Sequence, residues 1–129
     1  MYNILYSAYY ERILHMKKIN VAVIGCGTIA KNAHIPSYLA NENVNIKYFC
    51  DIIPERADEQ VALHGGSAVY DYREILNDDE LDAVSVCTPN NVHPTITIDF
   101  LNKNKKVFVF RQRRLFVAIY RQSDLKTGF

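Results

Sequence analysis

The sequence predicts an α/β fold in which a doubly wound parallel sheet of about five strands is covered by helices on both faces. β-Branched apolar runs alternate with helical segments, the connecting loops are short, and the first run, residues 19–24, is largely apolar. Apolar strands of this kind are typical of parallel sheets, because both faces of such a sheet are buried. A chain of 129 residues that is 49% hydrophobic is the size of one such domain.

Strands and helices alternate in the prediction from residue 19 to residue 109. Pro36 is expected to interrupt the first helix, because proline lacks an amide hydrogen and its ring crowds the preceding turn. Pro54 suits the first turn of the second helix, and Gly65 suits its end. Asp71 is a predicted N-cap, with Glu74 as its capping-box partner. The strands are predicted at residues 19–24, 44–50, 68–70, 81–86 and 106–109, and the helices at 28–40, 54–64, 72–76 and 92–102.

Charge and cysteine content narrow the class of protein. A formal net charge of +1 gives no reason to expect nucleic acid or an anionic membrane as a partner. The sequence has no apolar run long enough to span a membrane, and residues 1–15 lack the features of a secretory signal. Cys26, Cys50 and Cys87 are odd in number and have no C-x-x-C spacing, which argues against a disulfide framework and a zinc site. We expect buried, reduced thiols in a cytoplasmic protein.

The turn after the first strand carries the spacing G-x-G-x-x-A in Gly25, Gly27 and Ala30. Gly25 permits a tight turn, Gly27 lets the backbone approach a pyrophosphate, and Ala30 allows the helix to pack closely on the strand. The next helix begins near Thr28 and Ile29, and its first amides and positive dipole end favour phosphate groups. The sequence therefore predicts a Rossmann-type dinucleotide-binding loop.

An acidic residue supports this prediction. Asp51 ends the second strand about 20 residues beyond the glycine loop, where a carboxylate accepts hydrogen bonds from the adenosine ribose. Because Asp51 would repel a 2′-phosphate, NAD is favoured over NADP. Arg56 leaves NADP open, since a guanidinium pairs well with that phosphate. The alternative interpretation of the whole pattern is a structural tight turn beside a surface aspartate.

A second loop, residues 88–93, follows the fourth predicted strand. Ligands of doubly wound sheets bind at the carboxyl ends of the strands, so this loop is expected at the same edge as the glycine loop. Thr88 begins the loop, Pro89 fixes its backbone, and Asn90 and His93 are candidates to reach a cofactor or substrate. Taken alone, His93 is interpreted as a surface histidine at a helix start, and His34 is similarly ambiguous.

Residues 16–30, 34–36, 50–56, 70–71 and 88–93 resemble, in order and spacing, the glucose–fructose oxidoreductase, inositol dehydrogenase and rhizopine-catabolism (Gfo/Idh/MocA) family. The resemblance implies an NAD(P)-binding domain followed by a larger α/β domain. It also implies hydride transfer between a nicotinamide and a hydroxyl carbon of a sugar, cyclitol or other polyol. The implied contacts are Gly25, Gly27, Thr28 and Ile29 at the pyrophosphate, Asp51 and Arg56 around the adenosine, and Thr88, Pro89, Asn90 and His93 on the nicotinamide side.

The match to the family ends after the fifth predicted strand. There the family has Glu-Lys-Pro, whose lysine contacts substrate and cofactor and takes part in proton transfer. This chain instead continues with Phe110 and Arg111, and neither the triplet nor the family's second domain follows. We therefore expect cofactor binding without the catalytic lysine, and no catalytic residue is assigned.

The sequence divides into an extension at 1–15, the NAD(P)-binding domain at 16–109 and a basic tail at 110–129 that is unlike the family. The tail is expected to be irregular, as the product of a disrupted reading frame. The alternative is a basic surface for nucleic acid or an acidic partner. In the extension, Tyr2, Leu5, Tyr9 and Ile13 have helical spacing, although a loosely attached segment is favoured over packing on the core.

Three functional interpretations follow from the sequence. The first is the cofactor domain of an oxidoreductase whose substrate is a small sugar or polyol. The others are a non-enzymatic NAD(H)-binding module and a non-functional gene fragment. A sheet of about five strands without its usual continuation leaves an edge unpaired, which also predicts self-association.

Overall fold

The computed structural model describes residues 7–8, 17–89, 91–111 and 116–120 of the chain. Its strands form one sheet in the order β3-β2-β1-β4-β5-β6, in which the first five in the chain run parallel. This topology confirms the predicted Rossmann-like α/β fold. The strands are β1 (Ile19–Ile24), β2 (Val44–Cys50), β3 (Ser67–Val69), β4 (Ala83–Val86), β5 (Lys106–Arg111) and β6 (Phe116–Tyr120).

The predicted helix interruption near Pro36 takes the form of a π-helical turn at Ala30–His34. The amide of Ile35 closes this turn by donating to the carbonyl oxygen of Ala30. Pro36 then lies in the first turn of α1 (Ile35–Leu39), which follows the π-helical turn directly. The other helices are α2 (Pro54–His64), a 3₁₀ helix (Tyr72–Ile75) and α3 (His93–Leu101).

The end of α2 and the start of the 3₁₀ helix follow the sequence prediction. Gly65 caps α2 with a φ of 82°, a conformation that favours glycine. The Asp71 side chain caps the 3₁₀ helix by accepting a hydrogen bond from the Arg73 amide. Local turn chemistry therefore determines both boundaries.

Both faces of the sheet are buried. Side chains alternate along β1, so that Ala22 and Ile24 belong to one apolar cluster and Val23 to the other. Phe100 of α3 is fully buried in the first cluster, and Phe49 of β2 is fully buried in the second. The four residues of β4, at the centre of the sheet, are all buried. Helices on both faces thus explain why the strand sequences are so apolar.

The tail differs from its expected irregular structure at residues 116–120. These residues form β6, which pairs antiparallel with β5 and places Ala118 opposite Val109. Phe116–Tyr120 is an uninterrupted apolar and aromatic run, a composition that favours a strand whatever the origin of the tail. Residues 112–115 and 121–129, and the proposed stripe of Tyr2, Leu5, Tyr9 and Ile13, lie outside the described residues.

A polar network joins the elements at the amino edge of the sheet. The Asp78 carboxylate accepts hydrogen bonds from Lys47 Nζ at 2.6 Å and from the Tyr48 hydroxyl at 2.7 Å. Lys105, which is 8% exposed, donates from Nζ to the Asp78 carbonyl oxygen at 2.6 Å. The hydrogen bonds from Lys47 and Tyr48 lower the pKa of Asp78 to about 2. Asp78 thus ties β2 to the segments that precede β4 and β5.

We expect the Asp78→Asn substitution to lower the free energy of unfolding at neutral pH by about 1–2 kcal/mol, because it removes a partly exposed charged hydrogen-bond acceptor. A carboxylate whose pKa is lowered by folding stabilises the protein above its unfolded pKa. The difference between the wild type and the variant should therefore shrink as the pH falls from about 3.8 to about 2. Urea denaturation at several pH values measures it.

The neighbouring, exposed Asp79 provides the matched control. Asp79→Asn should leave the unfolding free energy at neutral pH almost unchanged. Equal losses in the two variants would show that Asp78 has no special structural role.

Candidate functional site

A cavity of about 910 Å³ lies at the carboxyl ends of the parallel strands. The cavity opens beside β1. Because β2 and β4 lie on either side of β1, the chain crosses to opposite halves of the sheet at this point. Such a switch point is where doubly wound sheets bind ligands. Most of the site residues predicted from sequence line the cavity, namely Gly25, Gly27, Thr28, Ile29, Asp51, Arg56, Thr88 and Pro89.

Gly25 lies where the glycine loop contacts the end of β4. Its φ is +94°, and a Cβ added here would lie 2.9 Å from the carbonyl carbon and oxygen of Cys87. The Cys87 amide donates to the carbonyl oxygen of Ile24 at 2.7 Å, which holds the two segments together. Both the backbone conformation and the close approach therefore require glycine, as predicted for a tight turn.

Gly27 has a different environment from Gly25. A Cβ added at Gly27 would meet no atom of the rest of the described chain within 4 Å. The Gly27 carbonyl oxygen accepts a hydrogen bond from the Lys31 amide at 3.0 Å, so the helical turns begin here. Thr28 and Ile29, the first helical residues, line the same cavity. The space beside Gly27 is thus open to a ligand that faces the start of a helix.

Asp51 joins two loops through its carboxylate and is only 8% exposed. Its Oδ2 accepts a hydrogen bond from the Cys26 amide, and its Oδ1 accepts one from the Ile53 amide, each at 2.9 Å. Each carboxylate oxygen keeps a further lone pair for a ligand. The predicted binding residue is therefore also part of the scaffold, which the sequence pattern did not indicate.

The rim of the cavity near Asp51 contains residues that sequence reasoning missed. Arg73 pairs with Asp71 through Nε and Nη2, each 3.0 Å from a carboxylate oxygen, and this pairing lowers the pKa of Asp71. The Tyr70 hydroxyl donates to Asp58 Oδ1 at 2.6 Å. The segment after β3 contains Tyr70, Asp71 and Arg73, which all line the cavity. Ligands of doubly wound sheets bind at the carboxyl ends of the strands, so the position of this segment could have predicted its place in the site.

Two of the predicted site residues do not line the cavity. Ala30 is fully buried in the apolar cluster that contains Val23 and Phe49, as its predicted packing role requires. His93 is the first residue of α3 and is 6% exposed, so its interpretation as a surface histidine is wrong. Its Nε2 contacts the Thr88 carbonyl oxygen and thereby braces the second loop.

The second loop presents an unusual hydroxyl group. Thr88 lines the cavity, and its Oγ1 is buried without a hydrogen-bond partner among the described residues. Buried hydroxyl groups normally have a partner, and an unsatisfied one is energetically costly. Asn90, the next candidate on this loop, lies outside the described residues. Thr88 is thus a polar group that a ligand in the cavity would be suited to satisfy.

The three cysteines lie around the glycine loop and are free thiols. Burial, as the largest cause, raises the pKa of Cys26 and Cys50 to about 12 and that of Cys87 to about 11. At neutral pH these groups are protonated, which argues against a thiolate nucleophile. Within residues 17–89 and the other described segments, no cluster of His, Cys, Asp or Glu suits a metal ion. No helix in these segments is long and apolar enough to cross a membrane.

Sequence comparison matches residues 19–109 to the family described as "Oxidoreductase family, NAD-binding Rossmann fold" (Gfo/Idh/MocA). The alpha-N-acetylgalactosaminidase of Shewanella oneidensis is 30% identical over 105 residues, which cover 73% of this chain and 22% of that protein. The inositol 2-dehydrogenase of Salmonella paratyphi B is 29% identical over 94 residues, which cover 70% of this chain and 27% of that protein. The chain thus spans about a quarter of the length of these relatives.

Structural comparison finds the same fold in a 3-ketoreductase. KijD10 from Actinomadura kijaniata, crystallised with NADP and TDP-benzene, matches with a TM-score of 0.70 and 28% identity. The match covers 74% of this chain and 30% of that protein.

We expect Gly25→Ala to lower the free energy of unfolding by about 1–3 kcal/mol, because alanine is strained at this φ and its Cβ would meet Cys87. Gly27→Ala is the matched control, since its added methyl group enters open space. Urea denaturation of both variants tests the difference. Similar stability of the two variants would contradict the close contact at Gly25.

Proposed function

Because the chain belongs to the Gfo/Idh/MocA oxidoreductase family, we propose that its cavity binds the dinucleotide NAD, with NADP as the weaker alternative. We further propose that residues 16–109 are the cofactor domain of an oxidoreductase that acts on the CH–OH group of a sugar, cyclitol or other polyol. The observation that carries the proposal is the cavity at the switch point, between the glycine loop and the carboxylate of Asp51.

The pyrophosphate is proposed to lie against Gly27, Thr28 and Ile29. The open space beside Gly27 supports this position, because a phosphate oxygen needs close access to the backbone. The first amides of the helix have no intrahelical partners and point towards such a group. These residues would bind the two phosphates without a positively charged side chain.

The adenosine is proposed to lie over Asp51, with Arg56 beside it. Asp51 is held in place by the two backbone amides, so its carboxylate is already oriented for the ribose hydroxyls. Ile52, which is 87% exposed on the cavity rim, offers an apolar surface to the adenine ring. The negative charge of Asp51 favours NAD over NADP, since it repels a 2′-phosphate.

The nicotinamide is proposed to lie towards the second loop, with Thr88, Pro89 and Asn90 around it and His93 bracing the loop from behind. The buried Thr88 hydroxyl supports this placement, because a bound ligand would supply its missing hydrogen-bond partner. When bound, the nicotinamide supplies hydride transfer. The residues of this chain would orient the ring and exclude water from it.

Proton transfer at this end of the cavity has no evident carrier in the described chain. The described lining residues from Cys87 to Ile96 include no carboxylate, lysine or histidine, and the Cys87 pKa is raised to about 11. Hydride transfer from an alcohol needs a positioned proton acceptor. We therefore propose that this chain binds the cofactor without turnover by itself. Cofactor binding without turnover also favours the second candidate function, a non-enzymatic NAD(H)-binding module.

Fluorescence titration with NADH tests the proposal. We expect saturable binding that is weaker for NADPH, and an affinity at least about tenfold lower in Gly27→Ala, whose methyl group would fill the space of the pyrophosphate. The parallel stability measurement ensures that Gly27→Ala is folded. A polyol panel with NAD should give no turnover.

The outcomes test cofactor binding and the lack of turnover separately. Turnover would contradict the absence of a catalytic group. Lack of saturable binding by the wild-type chain would refute cofactor binding and leave the non-functional fragment.

Self-association with a second copy of the chain stays a prediction. β6 is an outer strand of the sheet, and its sequence, Phe116–Tyr120, has no charge and no proline. Such an edge favours pairing with another strand. Light scattering should show a species larger than the monomer, which Val117→Lys converts to the monomer. Leu63→Lys, at an exposed position on α2, should leave the assembly intact, and a monomeric wild type would refute the prediction.

A further inference from the structure

A buried polar contact joins the helix after the glycine loop to the centre of the sheet. Ser85 of β4 is fully buried, and its Oγ lies 2.9 Å from Nδ1 of His34. His34 is the last residue of the π-helical turn. Neither residue lines the cavity, and the proposed function uses neither of them. The contact therefore needs its own explanation.

The π-helical turn determines which side chains of this helix face the sheet. Its closing hydrogen bond spans five residues instead of the four of an α-helix, so it inserts one residue into the turn. As a result Ala30 and Ile35, five residues apart, are both buried in the same apolar cluster. His34, next to Ile35, then reaches Ser85. π-Helical turns of this kind occur frequently at functional sites.

The two ends of this contact lead to opposite walls of the cavity. Two residues after Ser85, the chain reaches Cys87, whose Sγ lies 3.7 Å from Ser85 Oγ and which lines the cavity before Thr88. In the other direction, the helix that carries His34 begins at Thr28, on the wall formed by the glycine loop. The contact between His34 and Ser85 is therefore a direct link between the two walls.

We propose that His34 and Ser85 are positioning residues for the cofactor site. Their hydrogen bond fixes the helix against β4 and so sets the separation between the glycine loop and the Thr88 loop. A dinucleotide spans both loops, so a change in this separation weakens its binding even when the domain is folded. This inference rests on the proposed function, because the ligand whose affinity it concerns is the proposed NAD(H).

Variants of His34 test the proposal through their dissociation constants for NADH. His34→Asn keeps a polar atom at the position of Nδ1, whereas His34→Gln moves it towards the position of Nε2. We expect affinity close to wild type in His34→Asn and affinity about fivefold to tenfold lower in His34→Gln and Ser85→Ala. The double variant His34→Gln/Ser85→Ala should bind no more weakly than Ser85→Ala alone, because Ser85→Ala already removes the hydrogen bond that His34→Gln disrupts.

Stability measurements on the same variants separate positioning from folding. Asp78→Asn is the control. Asp78 lies at the amino edge of the sheet, opposite the cavity, so this variant should lower stability without lowering NADH affinity. Equal NADH affinity in folded His34→Asn and His34→Gln, or additive effects in the double variant, would overturn the positioning role while leaving the proposed function intact. If the wild-type chain itself does not bind NADH, the proposed function fails and this inference fails with it.

Discussion

The close contact between Gly25 and the end of β4 is the constraint on which the rest of the site depends. Hydrogen bonds on both sides define it: the Gly25 amide donates to the Cys50 carbonyl oxygen and the Cys87 amide to that of Ile24, each at 2.7 Å. The glycine loop therefore leaves the sheet between β2 and β4, with no room for a side chain. Both walls of the cavity start at this contact, so backbone geometry fixes their separation at the base of the cavity.

Asp51 shows how the same residue serves the scaffold and the site. A nearly buried carboxylate is costly unless hydrogen bonds replace its water, and the Cys26 and Ile53 amides supply two of them. These bonds also hold the glycine loop against the loop before α2. The negative charge is thus fixed at the cavity before any ligand arrives, which lowers the cost of ordering the site on binding.

The parts of the site that the sequence predicts are those set by local backbone chemistry. Gly25 and Asp51 are recognisable because a turn and a strand end each restrict the residue type strongly. The contact between His34 and Ser85 joins residues 51 positions apart and depends on a π-helical turn, which no local pattern indicated. β6 differs from the prediction for another reason: the tail is interpreted from sequence as the product of a disrupted reading frame, whereas its apolar run pairs with β5.

The charged side chains that line the cavity are concentrated in one half of it. Charged groups such as Asp51, Arg56 and Arg73 line the half proposed for the adenosine, whereas the described second-loop residues that line the cavity are all uncharged: Thr88, Pro89, Asn91 and Val92. This distribution suits the proposed dinucleotide, whose adenosine would lie in the charged half. The relatives that share this segment include an inositol 2-dehydrogenase and an alpha-N-acetylgalactosaminidase, so the segment common to both cannot by itself determine the reaction.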